Sequence, residues 1–415
     1  MMAALILSFA LQAASPGEFS SIQAAIDRAS DGEVIKVPPG RYRERIDFRG
    51  KSLKIIAWDF AADRPGTPLD HIIEAPREGP VVTMAARMLP VEGKRIEMVL
   101  EGFTVTGGTA PRGAGVYLEG PVFAEIYRCM ITGNAALGVQ EPEEGLGGGV
   151  YVDGTTSLTL LSSLVAGNVS EGPGGGVYVA TAPIVEEKRG RVSLINCTVT
   201  ANRSKGPAVN LSGLRGETCL VNNIIWGNAG GDLASDTDVP ASCNLFGSAA
   251  GVVCAERCLF VDPLFAAFDA ADFRLTRRSP ARNAGCDPGA CLVRPFRRPP
   301  EYSDITGRMP EGERDMGVFE YFEIFVRADV NQNGDGAELG DAISILDYLF
   351  KGAPNTCLDS TDSNDDGRAD LSDAIYILIY YFLQGPPPPP PFPEPGEDLT
   401  PDDLDCRLYL PGGGL

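Results

Sequence analysis

Between residues 100 and 228 short aliphatic strands alternate with Gly/Asn turns, and the alternation repeats. Phe103-Thr-Val-Thr-Gly-Gly108, Cys129-Met-Ile-Thr-Gly-Asn134, Ser163-Leu-Val-Ala-Gly-Asn168, Cys197-Thr-Val-Thr-Ala-Asn202 and Asn223-Ile-Ile-Trp-Gly-Asn228 align without gaps, at intervals of 26, 34, 34 and 26 residues. Val105, Ile131, Val165, Val199 and Ile225 fall in one column, and Leu100, Ile126, Leu160, Leu194 and Leu220 in another. A second strand recurs between them: Gly115-Val-Tyr-Leu118, Gly149-Val-Tyr-Val152, Gly176-Val-Tyr-Val179 and, more loosely, Pro207-Ala-Val-Asn-Leu211. Strands of this kind at a period of tens of residues predict a β-solenoid, each coil stacking its aliphatic columns on the next at about 4.8 Å. The unequal intervals are insertions in turns. No 3.6-residue pattern is sustained long enough here for a helical solenoid.

The pattern changes near the C-terminus. Asp341-Ala-Ile-Ser-Ile-Leu-Asp-Tyr-Leu-Phe350 matches Asp373-Ala-Ile-Tyr-Ile-Leu-Ile-Tyr-Tyr-Phe382 at seven of ten positions. Each segment predicts a short amphipathic helix, with Ile343, Leu346 and Phe350, or Ile375, Leu378 and Phe382, on one stripe. An oxygen-rich loop precedes each helix. In the second, Asp362, Asn364 and Asp366 alternate, Gly367 permits a sharp turn, the Arg368 carbonyl can add a ligand, and Asp373 closes the set from the first helical turn. Carboxylates this close repel one another unless a cation lies among them, and the all-oxygen set points to Ca²⁺. The first loop opens with Asp329, Asn331 and Asn333 and closes with Asp341, one residue later than its copy.

Both halves resemble known families. The coil pattern, from about residue 17 to 322, resembles the right-handed parallel β-helix of the pectate-lyase-like superfamily. Ser21-Ile-Gln-Ala-Ala-Ile26 looks like its N-terminal capping helix, and Val34–Val37, Pro38-Pro-Gly40 and Tyr42-Arg-Glu-Arg-Ile46 like its first coil. Asp262-Pro-Leu-Phe265, Phe273-Arg-Leu275, Ser279-Pro280 and Asp315-Met-Gly-Val-Phe-Glu320 look like a terminal segment shielding the last sheet edge. Two loop-helix units without entering helices resemble the type I dockerin duplication, a small EF-hand-like α-helical module, over roughly residues 326–406. That resemblance implies structural calcium and a protein partner. The places where dockerins read their partners here hold Leu339-Gly340 and Leu371-Ser372.

Charge divides the chain the same way. Residues 323–415 hold 18 acidic and 4 basic side chains, so −14 of the net −21 lies there. A net-negative chain without a Lys/Arg cluster would be repelled by phosphate backbones, which excludes nucleic acid as a partner. Residues 1–14, with the apolar run Ala3–Leu11, read as a secretory signal peptide, 15–325 as the β-helix domain and 326–415 as the dockerin-like domain. No stretch reaches the ~18–20 apolar residues of a membrane span. Ten cysteines agree with a secreted or cell-surface location and with disulfides, Cys357 pairing with Cys406 around the second loop. Cys243, Cys254, Cys258, Cys286 and Cys291 read as disulfides of open connectivity, with Cys219 available to the odd one; zinc is disfavoured because no histidine lies near. Cys129 and Cys197, two coils apart in one column, are too distant to bridge.

Candidate chemistry is sparse. The Asn134, Asn168, Asn202 and Asn228 column reads as a structural amide ladder, and the sole histidine, His71, as a strand residue. Tyr117, Tyr151 and Tyr178 each lie between two apolar strand residues, so they face outward and stack as an aromatic strip suited to sugar rings. Two insertions, 135–146 and 180–190, could wall a groove around Tyr151 and Tyr178. The paired aspartates and Gly-His-Gly of the polygalacturonase branch are absent, leaving Glu143, Glu187 and Lys188 as acid or base candidates. The Pro386–Pro391 run reads as a passive extended spacer. The chain thus reads as an exported β-helix that binds, and can process, polysaccharide or cell-surface glycan, held by a calcium-stabilised docking module. The alternatives are a polysaccharide lyase or glycoside hydrolase, and a non-catalytic structural or adhesive surface protein.

Overall fold

The computed structural model describes residues 21–58, 68–86, 95–138, 144–181, 190–213, 216–276, 278–288, 304–305, 314–321, 325–355, 357–396, 398, 400, 404 and 406. The signal-peptide segment, Glu143, Glu187, Lys188 and Cys291 lie outside the described residues. The chain divides into two units, 1–263 with 280–320, and 264–279 with 321–415. The second unit includes an antiparallel hairpin, Phe265–Ala267 against Asp272–Leu275, in a stretch the sequence reading placed with the β-helix.

The first unit is a parallel β-helix. Its first ladder stacks Val34–Val37, Leu53–Ala57, Ile96–Glu101, Val122–Tyr127, Ser157–Leu161, Val192–Ile195 and Thr218–Val221. An 8-stranded second ladder runs from Gly40–Tyr42 to Leu245–Phe246, one strand per coil. The third ladder runs from Ile46–Asp47 to Val209–Asn210, and a 3-stranded ladder (Thr109–Ala110, Ala135–Ala136, Val169–Ser170) lies between the second and third. The predicted columns are the observed registers: Val105, Ile131, Val165, Val199 and Ile225 pair in succession, as do Leu100, Ile126, Leu160, Leu194 and Leu220. All ten are fully buried in one apolar core that fills the coils. Ile22 and Ile26 of the helix Ile22–Arg28 join that core, while Glu44 accepts hydrogen bonds from the Ser21 hydroxyl and the Ile22 and Gln23 backbone N–H groups.

Local conformation explains the corners. Between the first and second ladders six successive coils turn on one left-handed residue each: Gly102, Arg128, Ser162, Asn196, Asn222 and Cys243, with φ between 44 and 83°. Gly149, ahead of its Val-Tyr strand, is required by crowding, because a Cβ there would lie 2.5 Å from the Gly176 carbonyl oxygen.

Two amide ladders run beside the aliphatic columns. Asn134, Asn168, Asn202 and Asn228 each donate Nδ2 to the Oδ1 of the next rung at 2.8–3.0 Å, ending on Asp232. A second, shorter ladder, which the sequence reading did not single out, links Asn223 to Asn244 at 2.9 Å. His71 is buried in its strand, edge-on to Phe103 at 6.1 Å.

In the second unit the helices Leu339–Lys351 and Leu371–Leu383 pack on each other around Ala342, Ile345, Ala374 and Ile377. This corrects the predicted stripes: Ile343 and Phe350 are 49% and 71% exposed, and Ile375 and Phe382 are 47% and 61% exposed. Ala342 and Ala374 allow close approach beside Ile345 and Ile377, and of each predicted stripe only the leucine, Leu346 or Leu378, stays packed against that core while the residues at its two ends face outward. The proline run is corrected as well, because it is packed rather than a free spacer. Arg327 N–H donates to the Pro391 carbonyl at 2.6 Å, Tyr376 Oη to that of Pro387 at 3.1 Å, and Phe392 sits edge-on to Tyr380 at 5.6 Å. Phe325 pairs with Gly396, and Cys357 is disulfide-bonded to Cys406.

Candidate functional site

The outward side of the first ladder carries a cleft of ≈ 410 Å³, within the size range of small-ligand sites. It forms where the strand Leu233–Ser242 leaves one ladder for another. Leu233 and Ala234 pair with Val209 and Asn210, whereas Ala241 and Ser242 pair with Leu220 and Val221. The chain between crosses the corner, and Thr237 and Asp238 rim the depression it leaves. Cys219 and Pro240 form part of the apolar lining, joined by Thr218, Ser242, Arg191 and Glu217. Arg191 and Glu217 form an ion pair at 3.3 Å; the Arg191 side chain is 23% exposed and that of Glu217 80%. Hydroxyls, carboxylates and a guanidinium over an apolar floor suit a polyhydroxylated ligand: the acidic and hydroxyl groups accept from its O–H groups, and Arg191 donates. Nothing in the local sequence marks this cleft, because Arg191, Glu217 and Asp238 belong to three successive coils.

Further along the same ladder, burial pushes the Glu125 carboxyl up to about 7, against the pull of Lys54 and with Glu97 and Glu101 adding repulsion. Register explains the grouping. Glu125 pairs with Val99, whose strand neighbours two places away on the same side are Glu97 and Glu101, and Val99 pairs in turn with Lys54. A carboxyl that burial holds protonated up to near neutrality has the polarity of a general acid. The sequence search passed over these residues because it sought aspartate pairs within the repeats.

The three tyrosines meet as predicted, Tyr117 pairing with Tyr151 and Tyr151 with Tyr178. Their rings are parallel within 8° and 17°, with centroids 5.4 and 5.8 Å apart. That geometry lays each face against its neighbour, and Arg112 stands 5.9 Å from the Tyr151 ring. Tyr151 is only 5% exposed. The strip therefore offers edges to solvent rather than the open faces expected for sugar stacking. Burial first, then the Glu119 and Asp153 charges, raise the Tyr117 phenol.

In the second unit the two loops share one hydrogen-bond scaffold. Asp362 accepts from the N–H groups of Asp366 and Gly367, as Asp329 does from Asn333 and Gly334. Asp373 accepts from the N–H of Ser363 and of Asp370, as Asp341 does from Asn331 and Glu338. The extra residue of the first loop is thus confined to the 335–337 turn, where Gly336 adopts φ 76°. Asp329, Asp341, Asp362 and Asp373 are fully buried, whereas Asn331, Asn333, Asn364 and Asp366 are more open. Burial pushes Asp373 up to about 7 and Asp341 to about 6, and raises Asp362. Arg368 lies on the rim of the second loop. Each loop holds two buried carboxylates, and no three acidic groups of either lie within 4.8 Å of one another among the described residues. The group that does meet that distance, Cys243, Glu256 and Cys286, contains a Cys243–Cys286 disulfide, so its sulfurs are not thiolate ligands.

No family model and no curated protein matches the chain. Among solved structures, the crystal structure of pectate lyase Pel9A is similar to it with a TM-score of 0.31 and 13% identity, covering 74% of this chain and 93% of that one.

Proposed function

We propose that the outward side of the first ladder is a glycan-binding face and that the second unit is a calcium-stabilised, dockerin-type module holding an exported β-helix near its substrate. The cleft between Arg191, Glu217 and Asp238 carries the first half of this reading, since it joins sugar-directed polar groups to an apolar floor. In this reading an extended chain lies across stacked coils and contacts several rungs at once. A second reading, glycoside hydrolysis, is favoured by the raised Glu125 carboxyl, which would donate a proton while Glu97 or Glu101 acts as base. A glycan array with product analysis separates the two. Arg191→Ala should weaken binding of any captured glycan by roughly tenfold, about the loss of one charge-assisted contact. Chain shortening that disappears in Glu125→Gln would establish hydrolysis. Binding without shortening would remove it, and no binding at all would remove both.

The donor chemistry of the loops fits calcium. Asp362, Asn364, Asp366, Asp373 and the Arg368 carbonyl would hold one ion, and Asp329, Asn331, Asn333 and Asp341 another. Oxygen donors alone suit a hard cation, and two buried carboxylates in each loop call for positive charge beside them. Bound calcium would supply that charge. Isothermal calorimetry of the full chain should show two sites, with one lost in Asp362→Ala; an unchanged number of sites would refute the assignment. The exposed stripe of Ile343, Phe350, Ile375 and Phe382 is where a protein partner would dock.

A further inference from the structure

The cysteines among the described residues differ sharply in access. Cys129 and Cys197 are reduced and fully buried, and burial pushes both thiols up to about 12, which silences them as nucleophiles. Cys243 and Cys357, each one half of a disulfide, are 0% exposed, and disulfide-bonded Cys219 is 7% exposed. The remaining pair is different. Cys254 is exposed on the strand Ala249–Glu256, Cys258 is half-buried, and the two are joined across a separation of only 4 residues.

Three features make that bond addressable. Among the described residues the strand carrying Cys254 is the last rung of its sheet and pairs with Leu233–Ser242 alone, so one of its edges has no described strand beyond it. The Cys258 N–H donates to Cys254 Sγ at 3.1 Å, which favours negative charge on that sulfur. Arg257, exposed and held at φ 40°, is one of the three residues that close the small ring, with Ala255 and Glu256. Ring size matters too. Closing so short a loop restrains the unfolded chain roughly half as much as the 43- and 49-residue separations of the other two described pairs, so opening it removes less stability than opening either of those.

We propose that Cys254–Cys258 is a thiol-exchange site at the end of the coil, open to small monothiols while the β-helix stays folded. An incoming thiolate attacks the exposed Cys254 Sγ, the Cys254–Cys258 bond breaks, and Cys258 leaves as a thiolate that takes a proton from water. A second monothiol then attacks the external sulfur of the mixed disulfide and releases Cys254, whose charge the Cys258 N–H accommodates. Two monothiols are oxidised to one small disulfide and the protein gains two thiols, so electrons and protons balance.

The test uses the native full chain, reduced glutathione, quenching with iodoacetamide and peptide mapping by mass spectrometry. Cys254 and Cys258 should be labelled at least about tenfold faster than Cys243, Cys286, Cys357 or Cys406, with a transient glutathione adduct on Cys254 and unchanged tryptophan fluorescence. Labelling of this pair no faster than of Cys357–Cys406, or only in step with loss of the folded fluorescence, overturns the proposal. Cys258→Ser gives an independent check: its lone Cys254 should take up glutathione from oxidised glutathione, and an alkylatable Cys254 that forms no adduct overturns it equally.

Discussion

Arg327→Ala will melt the second unit while leaving the β-helix intact. Its guanidinium is fully buried and saturated: Nη2 meets Asp398 at 2.9 Å and Asp365 at 3.0 Å, Nη1 donates to the carbonyls of Asp362 at 2.8 Å and Asp359 at 3.4 Å, and Nε donates to that of Pro390 at 3.1 Å. The Phe325 ring lies 5.4 Å away. One side chain thus ties the start of the unit, the second loop and the proline strap together. Truncation strands the Asp398 carboxylate, itself 0% exposed, with three backbone carbonyls, and breaking a buried pair in this way costs about 3–5 kcal/mol. Arg327→Lys should recover little, because an ammonium cannot reproduce the planar fork. The two tryptophans, Trp58 and Trp226, both lie in the first unit, so fluorescence should report an unchanged β-helix. Hydrogen exchange across 339–383 should accelerate. Protection there equal to that of the parent protein would show that the buried arginine is not what holds the unit.

Asn168→Ala should be the most damaging single change in the coils. Asn168 Nδ2 donates to the Ile131 and Ala166 carbonyls and to Asn202 Oδ1, while its own Oδ1 accepts both Nδ2 and the backbone N–H of Asn134. Alanine strands the Asn134 N–H and at least one carbonyl in an environment without water. With about 1–3 kcal/mol for each orphaned group, the loss should reach roughly 3 kcal/mol. Asn168→Asp keeps the acceptor but loses the donors and sets a charge against Asn202 Oδ1, so it should be no better. Urea unfolding followed by Trp226 fluorescence measures both, and a loss below about 1 kcal/mol would mean that the ladder is ornamental.

The coils were legible because their determinants are local and repeated. An aliphatic strand followed by a left-handed residue (Gly107, Gly133, Gly167, Ala201 and Gly227) states its own register, and five copies leave no room for a slip. The duplication in the second unit was legible for the same reason, since the spacing of Asp and Asn within each loop is a local property and the two loops fold on one hydrogen-bond scaffold. What escaped lies between distant residues. Asp398 is 71 positions from Arg327, and no pattern around either announces the pair. The outward direction of Tyr151 could be read from alternation, but that its neighbours cover both ring faces follows from the coil-to-coil rise. The cleft required three coils and a strand that changes ladders. The glutamates around Glu125 required knowing which strands are adjacent on one face.

The amide ladder has a direction. From rung to rung every bond runs one way, each Nδ2 donating to the Oδ1 of its C-terminal neighbour while the same amide also donates back to a backbone carbonyl of the preceding coil, so the side-chain dipoles point the same way along the coil axis and polarise one another. Their positive ends face Asp232, a carboxylate that receives the last N–H at 2.8 Å, much as an acidic residue complements a helix N-terminus. The array therefore ends in a built-in counter-charge. At Asp232 the side-chain relay reverses, because the Ser248 hydroxyl donates back to its carboxylate at 3.1 Å while the Asp232 N–H still reaches forward to Ser248 Oγ at 3.0 Å. The position of this one aspartate sets where the ladder stops.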